Sequence, residues 1–565
     1  MPAKISVLMP IYRTPEAYLR MAIESILSQT YKDFEFLILD DCPEYNQSEI
    51  VKSYHDPRII YLINEKNMGI SEARNKLIDM AKGEYLAVMD HDDISMIRRF
   101  EREVAYLDAH PDVGVVGCWA RVLGNNLFFH RPENDRDIKA VLTKFSAVLH
   151  PTSMIRKSVL MENNIRYEKR YSPAEDYCLW VRLLECTKFH NVREILFRYR
   201  RHEHNTTTNQ LSKMQDAGEE LRYMVRKKHP ELYARVKKMY SYRWSLFGSQ
   251  RLAFGGYQKE HPGKIVRPAA AELKAPVVLD KPILVIAHVF YPKLWPELKK
   301  HIQNISPYPF DLYVTLVEEH PDIQADIKAT FPTAHIEIVE NRGYDIGPFI
   351  HTLSKIDLEK YDFVIKVHTK RTRSQNWRLC FRGLYGNKWR KALLAFLKDH
   401  DTLTRYLNSF KCADLGMTGN YKCLVFKDYY LAKPCVEQFR LFLEQKKMFH
   451  IDFSFVGGTM FLCRANVLRP IQNLKLKLTD FGLVGEDSQK AAQPYVVERL
   501  IGFYPSLMGY RCEDYVVPKW KQRLFYFMEE DTRVFVEYLR EFIKNCLLKS
   551  DVICKNKGKS GKKQG

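Results

Sequence analysis

The chain has 565 residues, too many for one hydrophobic core and enough for two or three domains. Its 46% hydrophobic and 28% charged residues are the balance of a soluble globular protein, and no apolar run approaches the roughly 20 residues of a membrane span. Lys plus Arg number 88 against 68 Asp plus Glu, a formal charge of +20 that favours nucleic acid, anionic lipid or phosphate-bearing substrates without choosing among them.

Met1-Pro2-Ala3-Lys4 leads directly into an apolar run and does not read as a signal peptide. Ile5 to Ile11 is a short buried strand, and Leu19, Ala22, Ile23, Ile26 and Leu27 recur at helical spacing. Phe34 to Leu39 is a second strand ending in Asp40-Asp41, and Ile59 to Ile63 a third, followed by Asn67-Met68-Gly69. A helix then carries Ala73, Leu77, Ile78 and Ala81, and Tyr85 to Met89 is a fourth strand ending in Asp90-His91-Asp92-Asp93. This alternation predicts a mostly parallel sheet with helices on both faces. Ligands of such sheets sit at the carboxyl ends of the strands, where the acidic clusters fall.

From about 210 to 262 the chain is polar, basic and helical, and the stretch from His261-Pro262-Gly263 to Pro282 reads as a linker. A second alternation follows. Ile283 to Ala287, Leu312 to Val317, Ile336 to Val339 and Phe363 to Val367 are strands, and Trp295, Leu298, Ile302 and Ile305 mark a helix. Asn341-Arg342-Gly343 follows the third of these strands and His368-Thr369-Lys370-Arg371 the fourth. Both halves thus show an Asn-x-Gly turn and then a polar cluster, roughly 80 residues after the first strand. That order reads either as a duplicated fold or as two α/β domains that look alike in a coarse string. Lys544 to Gly565, with seven Lys and one Asp, reads as a disordered basic tail behind an amphipathic helix over 535–548 that packs on the domain or touches anionic lipid. The 12 Cys are spread singly, without C-x-x-C spacing, which fits a reducing cytoplasm better than secretion. The expected location is cytoplasmic or peripheral on the inner face of the membrane.

The cluster at Asp90–Asp93 carries the most chemistry. Carboxylates one residue apart in extended chain point to one side and can hold Mg2+ or Mn2+ with positions left open for phosphate oxygens. The same residues could also form a solvated acidic turn. Taken with Pro10-Ile11-Tyr12, Asp40-Asp41, Asn67 to Asn75, Glu175-Asp176 with Trp180 and Arg182, and Tyr199-Arg200-Arg201-His202, the pattern over about 1–205 resembles family 2 glycosyltransferases of the GT-A fold. The resemblance implies an inverting transferase that uses a nucleotide-sugar. Pro10, Tyr12, Asp40, Asp41, Arg74 and Asp90 would line the donor, and Asp90 and Asp92 would bind the metal, with His202 a further contact. Asp176, beside Glu175, would be the general base, though it also reads as a helix N-cap. Asp40-Asp41-Cys42-Pro43 departs from the family's Asp-Asp-Gly-Ser. His150-Pro151-Thr152 reads as an acceptor-side element or a turn.

In the second half, Glu340 to Phe349 reads as a strand-to-helix turn whose amides could cradle phosphate and whose glycines could admit a ligand. Asn341, Arg342, Asp345, His368 and Lys370 are the site candidates, with Glu486 and Glu498 as further acids or bases. No acidic pair matches that of the first half, so no cofactor is expected here and cations would hold a diphosphate. Ala287 to Tyr291, Asn341 to Phe349, Lys366 to Lys370, Gly457 to Phe461 and Val497 to Leu500 resemble the rhamnan synthesis protein F family over about 281–515. That resemblance implies a transferase-like module that uses a rhamnose donor.

The expected architecture is a GT-A domain over 1–210, a helical segment and linker over 211–280, a second α/β domain over 281–520, and a C-terminal helix and basic tail over 521–565. The expected function is a two-site transferase that extends a lipid-linked saccharide of a bacterial surface polysaccharide. A single-site enzyme with a saccharide-binding C-terminal module is the alternative. Sugar-nucleotide synthesis would need a Gly-rich basic loop after the first strand. Nucleic-acid binding would need zinc spacing or an RNA-binding aromatic motif, and neither occurs.

Overall fold

The computed structural model describes residues 2–123, 128–129, 131–200, 211–237, 268–370, 387–425, 438–439, 441–443, 453–484, 493–518 and 521–522. The His202 and Glu486 candidates and the basic tail lie outside these residues.

In the first half the strands are β1 (Ile5–Ile11), β2 (Phe34–Asp40), β3 (Ile59–Ile63), β4 (Tyr85–Val88), β5 (Ile94–Ser95), β6 (Val113–Leu123), β7 (Phe128–Phe129), β8 (Met154–Arg156) and β9 (Lys188–Arg200). They form one sheet in the order β3-β2-β1-β4-β8-β6-β9-β5, with β7 on β6. β1 is buried at all seven positions, as expected for a continuous apolar run at the centre of a parallel sheet. Helices Glu16–Leu27 and Ile70–Met80 cover the sheet. Helix Leu211–Lys228 packs on helix Glu175–Leu183, with Leu221 and Val225 in the same core as Trp180, so the start of the basic stretch is part of this half.

In the second half β10 (Ile283–Val289), β11 (Phe310–Leu316), β12 (His335–Ile338), β13 (Phe363–His368), β14 (Leu415–Thr418), β17 (Phe461–Arg464) and β18 (Arg511–Cys512) form a sheet in the order β12-β11-β10-β13-β17-β14-β18. A ribbon of β15 (Leu424–Val425) and β16 (Phe455–Val456) stands beside it. The two sheets share one topology. In each, four parallel strands run third, second, first, fourth, and an antiparallel strand then joins the fourth to a parallel pair. The register agrees as well. Ile5 pairs with Phe34 and Tyr85, and Ile283 with Phe310 and Phe363. Counting five residues along the fourth strand from Tyr85 and from Phe363 sets His368 at the place of Asp90, and Lys370 at that of Asp92. The duplicated-fold alternative describes the described elements.

The halves are packed together. Ile94 and Ile97 belong to the same apolar cluster as the second sheet, and the Ile97 amide donates to the Met508 carbonyl at 3.0 Å. Asn473 donates to Glu24 at 3.2 Å and Asn466 to Ser28 at 3.2 Å. Among the described residues no helix is long and apolar enough to cross a membrane.

Candidate active site

β4 ends the parallel run and delivers Asp90 to the crest of the first sheet. The Ile70–Met80 helix rises beside it, entered through Gly69 at φ +85°, a conformation that disfavours a side chain. From that helix the buried Arg74 reaches two acids. Its Nη1 donates to Glu175 Oε1 at 2.7 Å and its Nη2 to Asp90 Oδ1 at 3.3 Å. The guanidinium also lies 5.5 Å from the Tyr167 ring centroid. One side chain thus ties the strand-end carboxylate to the acidic first turn of helix Glu175–Leu183.

Asp176 sits beside Glu175 in that turn. Burial, and then the charge of Glu175, raise its carboxyl to about 7. The helix N-cap is Ala174, so the capping alternative for Asp176 does not hold; its Oδ1 accepts the Tyr177 amide at 2.7 Å from inside the first turn. A carboxylate that titrates near neutrality is what a general base at physiological pH requires. The Asp90 carboxyl is likewise raised, first by burial, although Arg74 opposes this, and Asp93 is raised well above the carboxylate range by burial and by Asp92. Asp93 Oδ1 accepts the Arg200 amide at 2.7 Å, while its buried Oδ2 has no partner. Arg200 also donates from Nε to the Asp92 carbonyl at 2.7 Å and stacks 4.1 Å from the Tyr18 ring centroid. It therefore fixes the backbone of the acidic cluster, a role hidden in sequence because 107 residues separate the partners.

Among the described residues no three His, Cys, Asp or Glu side chains are gathered as a metal-binding group. Donor chemistry nevertheless fits a hard divalent cation. Burial first, and then the nearby Asp92, raise the carboxyls of Asp90 and Asp93, and carboxylate oxygen is the donor such ions take.

Other candidates fall differently. Tyr12 is 44% exposed, as is fitting for a ring offered to a ligand, and Arg13 lies between it and Tyr45 at 5.5 and 4.9 Å from their ring centroids. Pro10 lies within β1, opposite Leu39. Asp40 and Asp41 organise loops. Asp40 accepts from the Cys42 and Gln47 amides and the Tyr61 hydroxyl, at 2.7–3.0 Å. Asp41 accepts from Asn64 Nδ2 and from the Met68 and Gly69 amides, holding the Asn67-Met68-Gly69 turn. His150 is a core residue, 2.9 Å from the Tyr167 hydroxyl and kept neutral by burial.

At the second crest the charges are reversed. Asp345, entering helix Ile346–Leu353, accepts from Lys366 Nζ at 2.6 Å and from Thr459 Oγ1, and lies 3.5 Å from His368 Nδ1. His368, Lys366 and Lys370 hold its carboxyl well below the usual range despite burial. Glu498 Oε1 accepts the Gly458 amide at 3.2 Å, and burial raises its carboxyl. The phosphate cradle expected at Glu340 to Phe349 is not formed. The Gly343 amide donates to the Gly482 carbonyl, and the Ile346 and Gly347 amides to that of Gly343. A Cβ on Gly343 would meet Phe481 at 2.8 Å, and one on Gly347 the Arg342 carbonyl at 2.1 Å, so the glycines answer to protein packing. Arg342 is paired with Glu340 and donates to the Phe481 carbonyl, which removes it as a free phosphate cation. Asn341 Oδ1 is buried without a partner.

Comparison with known proteins agrees with this division. The model described as Glycosyl transferase family 2 matches residues 6–163, and that described as Rhamnan synthesis protein F matches 262–510. An uncharacterized glycosyltransferase of Methanocaldococcus jannaschii is 35% identical over 205 residues, covering 35% of this chain and 70% of the relative. The O-antigen biosynthesis glycosyltransferase WbnJ of Escherichia coli is 32% identical over 234 residues, covering 40% of this chain and 90% of the relative. The structure of S. aureus TarS 1-349 in complex with UDP-GlcNAc is similar at 20% identity and a TM-score of 0.33, over 36% of this chain and 61% of that one. With a parallel sheet whose crest joins Arg74, Asp90 and Glu175, and with relatives matched over most of their length, the chain belongs to the family 2 glycosyltransferases.

Proposed function

We propose that residues 1–210 transfer a sugar from a nucleotide-sugar to a saccharide acceptor, with inversion at the anomeric carbon. The observation that carries this is the Arg74 bridge from Asp90 to Glu175, which brings the strand-end acids and Asp176 to one crest. Asp90 and Asp92 would hold Mg2+ or Mn2+, and when bound the cation offsets the charge of the diphosphate leaving group. Asp176 takes the proton of the acceptor hydroxyl as that oxygen attacks, so a single displacement suffices. The exposed Tyr12 ring would stack on the nucleoside. The name of the E. coli relative and the match to rhamnan synthesis protein F support a surface polysaccharide as product.

The shared topology of the sheets supports a second transferase unit over 281–520, whose donor, on the match to rhamnan synthesis protein F, is a rhamnose nucleotide. Residues 211–280 join the units. A lipid-linked acceptor at the inner membrane face suits the charge of +20. Transfer from a panel of nucleotide-sugars should stop at the first unit in excess chelator and in Asp92→Ala, by at least 100-fold, without loss of fold by circular dichroism. Full transfer in chelator would sink the metal-dependent reading.

A further inference from the structure

The seam between the halves contains a cavity of about 530 Å3, at the end of both sheets away from the crests. Its charged walls come from the amino ends of parallel strands. Lys32 precedes β2 and Arg58 precedes β3 in the first half, while Lys281 precedes β10 in the second. Arg464 joins them from the last position of β17, opposite Phe363 at the start of β13. Asn466 ties the seam beside them, donating to Ser28 Oγ at 3.2 Å and to the Tyr510 hydroxyl at 2.9 Å.

Five Lys and Arg side chains and three carboxylates line the cavity, and their pairing leaves cations over. Arg58 Nη2 lies 2.6 Å from Asp56 Oδ2, and Arg469 Nη2 lies 3.1 Å from Glu359 Oε1. Lys281 donates only to a carbonyl, that of Glu359, at 2.8 Å. Arg464 Nε donates to the Leu415 carbonyl at 2.9 Å and its Nη2 to the carbonyls of Phe410 and Cys412, while Asp362 and Asp414 act on it from further off. A carbonyl accepts the hydrogen without cancelling the charge. Among the described residues Lys32 has no hydrogen-bond or ion-pair partner. It is open to the cavity yet surrounded by protein, and burial first, then Arg58 and Arg464, lower its ammonium to about 8. Lys32, Lys281 and Arg464 therefore face one unpaired carboxylate among the described residues, that of Asp362.

Cations crowded into a partly enclosed space raise one another's energy, and low-dielectric walls strengthen the field they set up there. An anion relieves both. The volume lies in the range of roughly 300–1,000 Å3 that small-molecule sites occupy, more than a simple ion fills. Leu27, Pro57, Leu358 and Tyr361 add apolar wall for the body of an organic molecule. A phosphate monoester carries close to two negative charges, which matches the excess, and its oxygens accept from ammonium and guanidinium groups in short, charge-assisted bonds.

We propose that the cavity between the halves binds a small phosphate monoester, held by Lys32 and Arg58 from the first half and by Lys281 and Arg464 from the second. A soluble sugar phosphate and a phosphatidate headgroup offer the same group, and the experiment separates them. The full chain is titrated in EDTA, which keeps phosphate off any divalent cation. One arm is calorimetry with glucose 1-phosphate and glycerol 3-phosphate, and the other is sedimentation with phosphatidylcholine vesicles, with and without phosphatidate. A soluble monoester should bind at one site per chain and raise the melting temperature. Lys32→Ala and Lys281→Ala, both exposed, should each weaken that binding by about ten-fold or more. Lys32→Glu should abolish it, and should raise the melting temperature of the unliganded chain by giving Arg58 and Arg464 a carboxylate. Sedimentation with phosphatidate vesicles alone, lost in Lys32→Glu, assigns the same site to a headgroup. Absence of binding in both arms, binding unchanged in Lys32→Ala and Lys281→Ala, or a Lys32→Glu chain that melts below wild type overturns the proposal.

Discussion

At Asp176 the carboxyl titrates near 7, against an ordinary value of 3.8, because burial and Glu175 disfavour its charge. As a base it works only when ionised, so transfer should rise with pH through about 7, and Asp176→Asn should lower it by about 100-fold or more at every pH. The same shift acts on stability with a definite sign. A folded value above the unfolded one favours the fold fully below about 3.8, and that contribution is lost as pH rises through 7. Thermal melts should therefore find Asp176→Asn more stable than wild type at pH 8, by roughly 2–4 °C or more, with the gap closing toward pH 4. An unchanged melting temperature at pH 8 would mean that the charge is already matched. That Asp90 and Asp92 follow a strand and that Asp176 opens a helix was legible in sequence, because their neighbours define that strand end and helix start. The hydrogen bonds that Asp40 and Asp41 accept were not legible, because their partners, Tyr61 on β3 and Gly69 in the turn before helix Ile70–Met80, lie 21 and 28 residues away.

Strands with a simple apolar run were legible, and with them the whole parallel core of each half. β6 and β9 were not. β6 includes Gly114 and Gly117, which lower its apparent strand propensity, yet their missing side chains make room for Thr187 and Asn191 within 2.4 and 2.5 Å of a Cβ. β9 carries Arg193, Arg198 and Arg200, charges that look like loop until Arg200 is seen bound to Asp92 and Asp93. Glycine positions separate the two turn elements by experiment. Gly69→Ala meets no atom within 4 Å and costs only the strain of φ +85°, about 1–2 kcal/mol. Gly347→Ala drives a Cβ against the Arg342 carbonyl and should cost about 3 kcal/mol or more. Urea unfolding of the two variants should show that ranking, and the reverse order would mean that the Arg342 turn yields easily.

Across the whole molecule, one helix of the second half touches the first. Gln493–Leu507 carries Glu498 toward its own crest, and further along it Tyr504 lies close enough to Arg200 to feel its charge. Arg200 in turn anchors Asp92 and Asp93. Arg200→Lys keeps the charge but cannot reproduce the guanidinium contact, so Mn2+ affinity measured by calorimetry should fall about 10–100-fold, with folding intact. Affinity within two-fold of wild type would remove Arg200 from the metal-holding framework. Neither the shared interface nor this contact was readable in advance, because both join segments hundreds of residues apart.

The six steps from Glu498 to Tyr504 span only about 9 Å of helix axis. Two crests that differ in charge therefore lean on one helix. Fraying or proteolytic nicking of that helix would not retire one function and spare the other: the pair has a common point of failure, and selection on either half restrains the same fifteen residues.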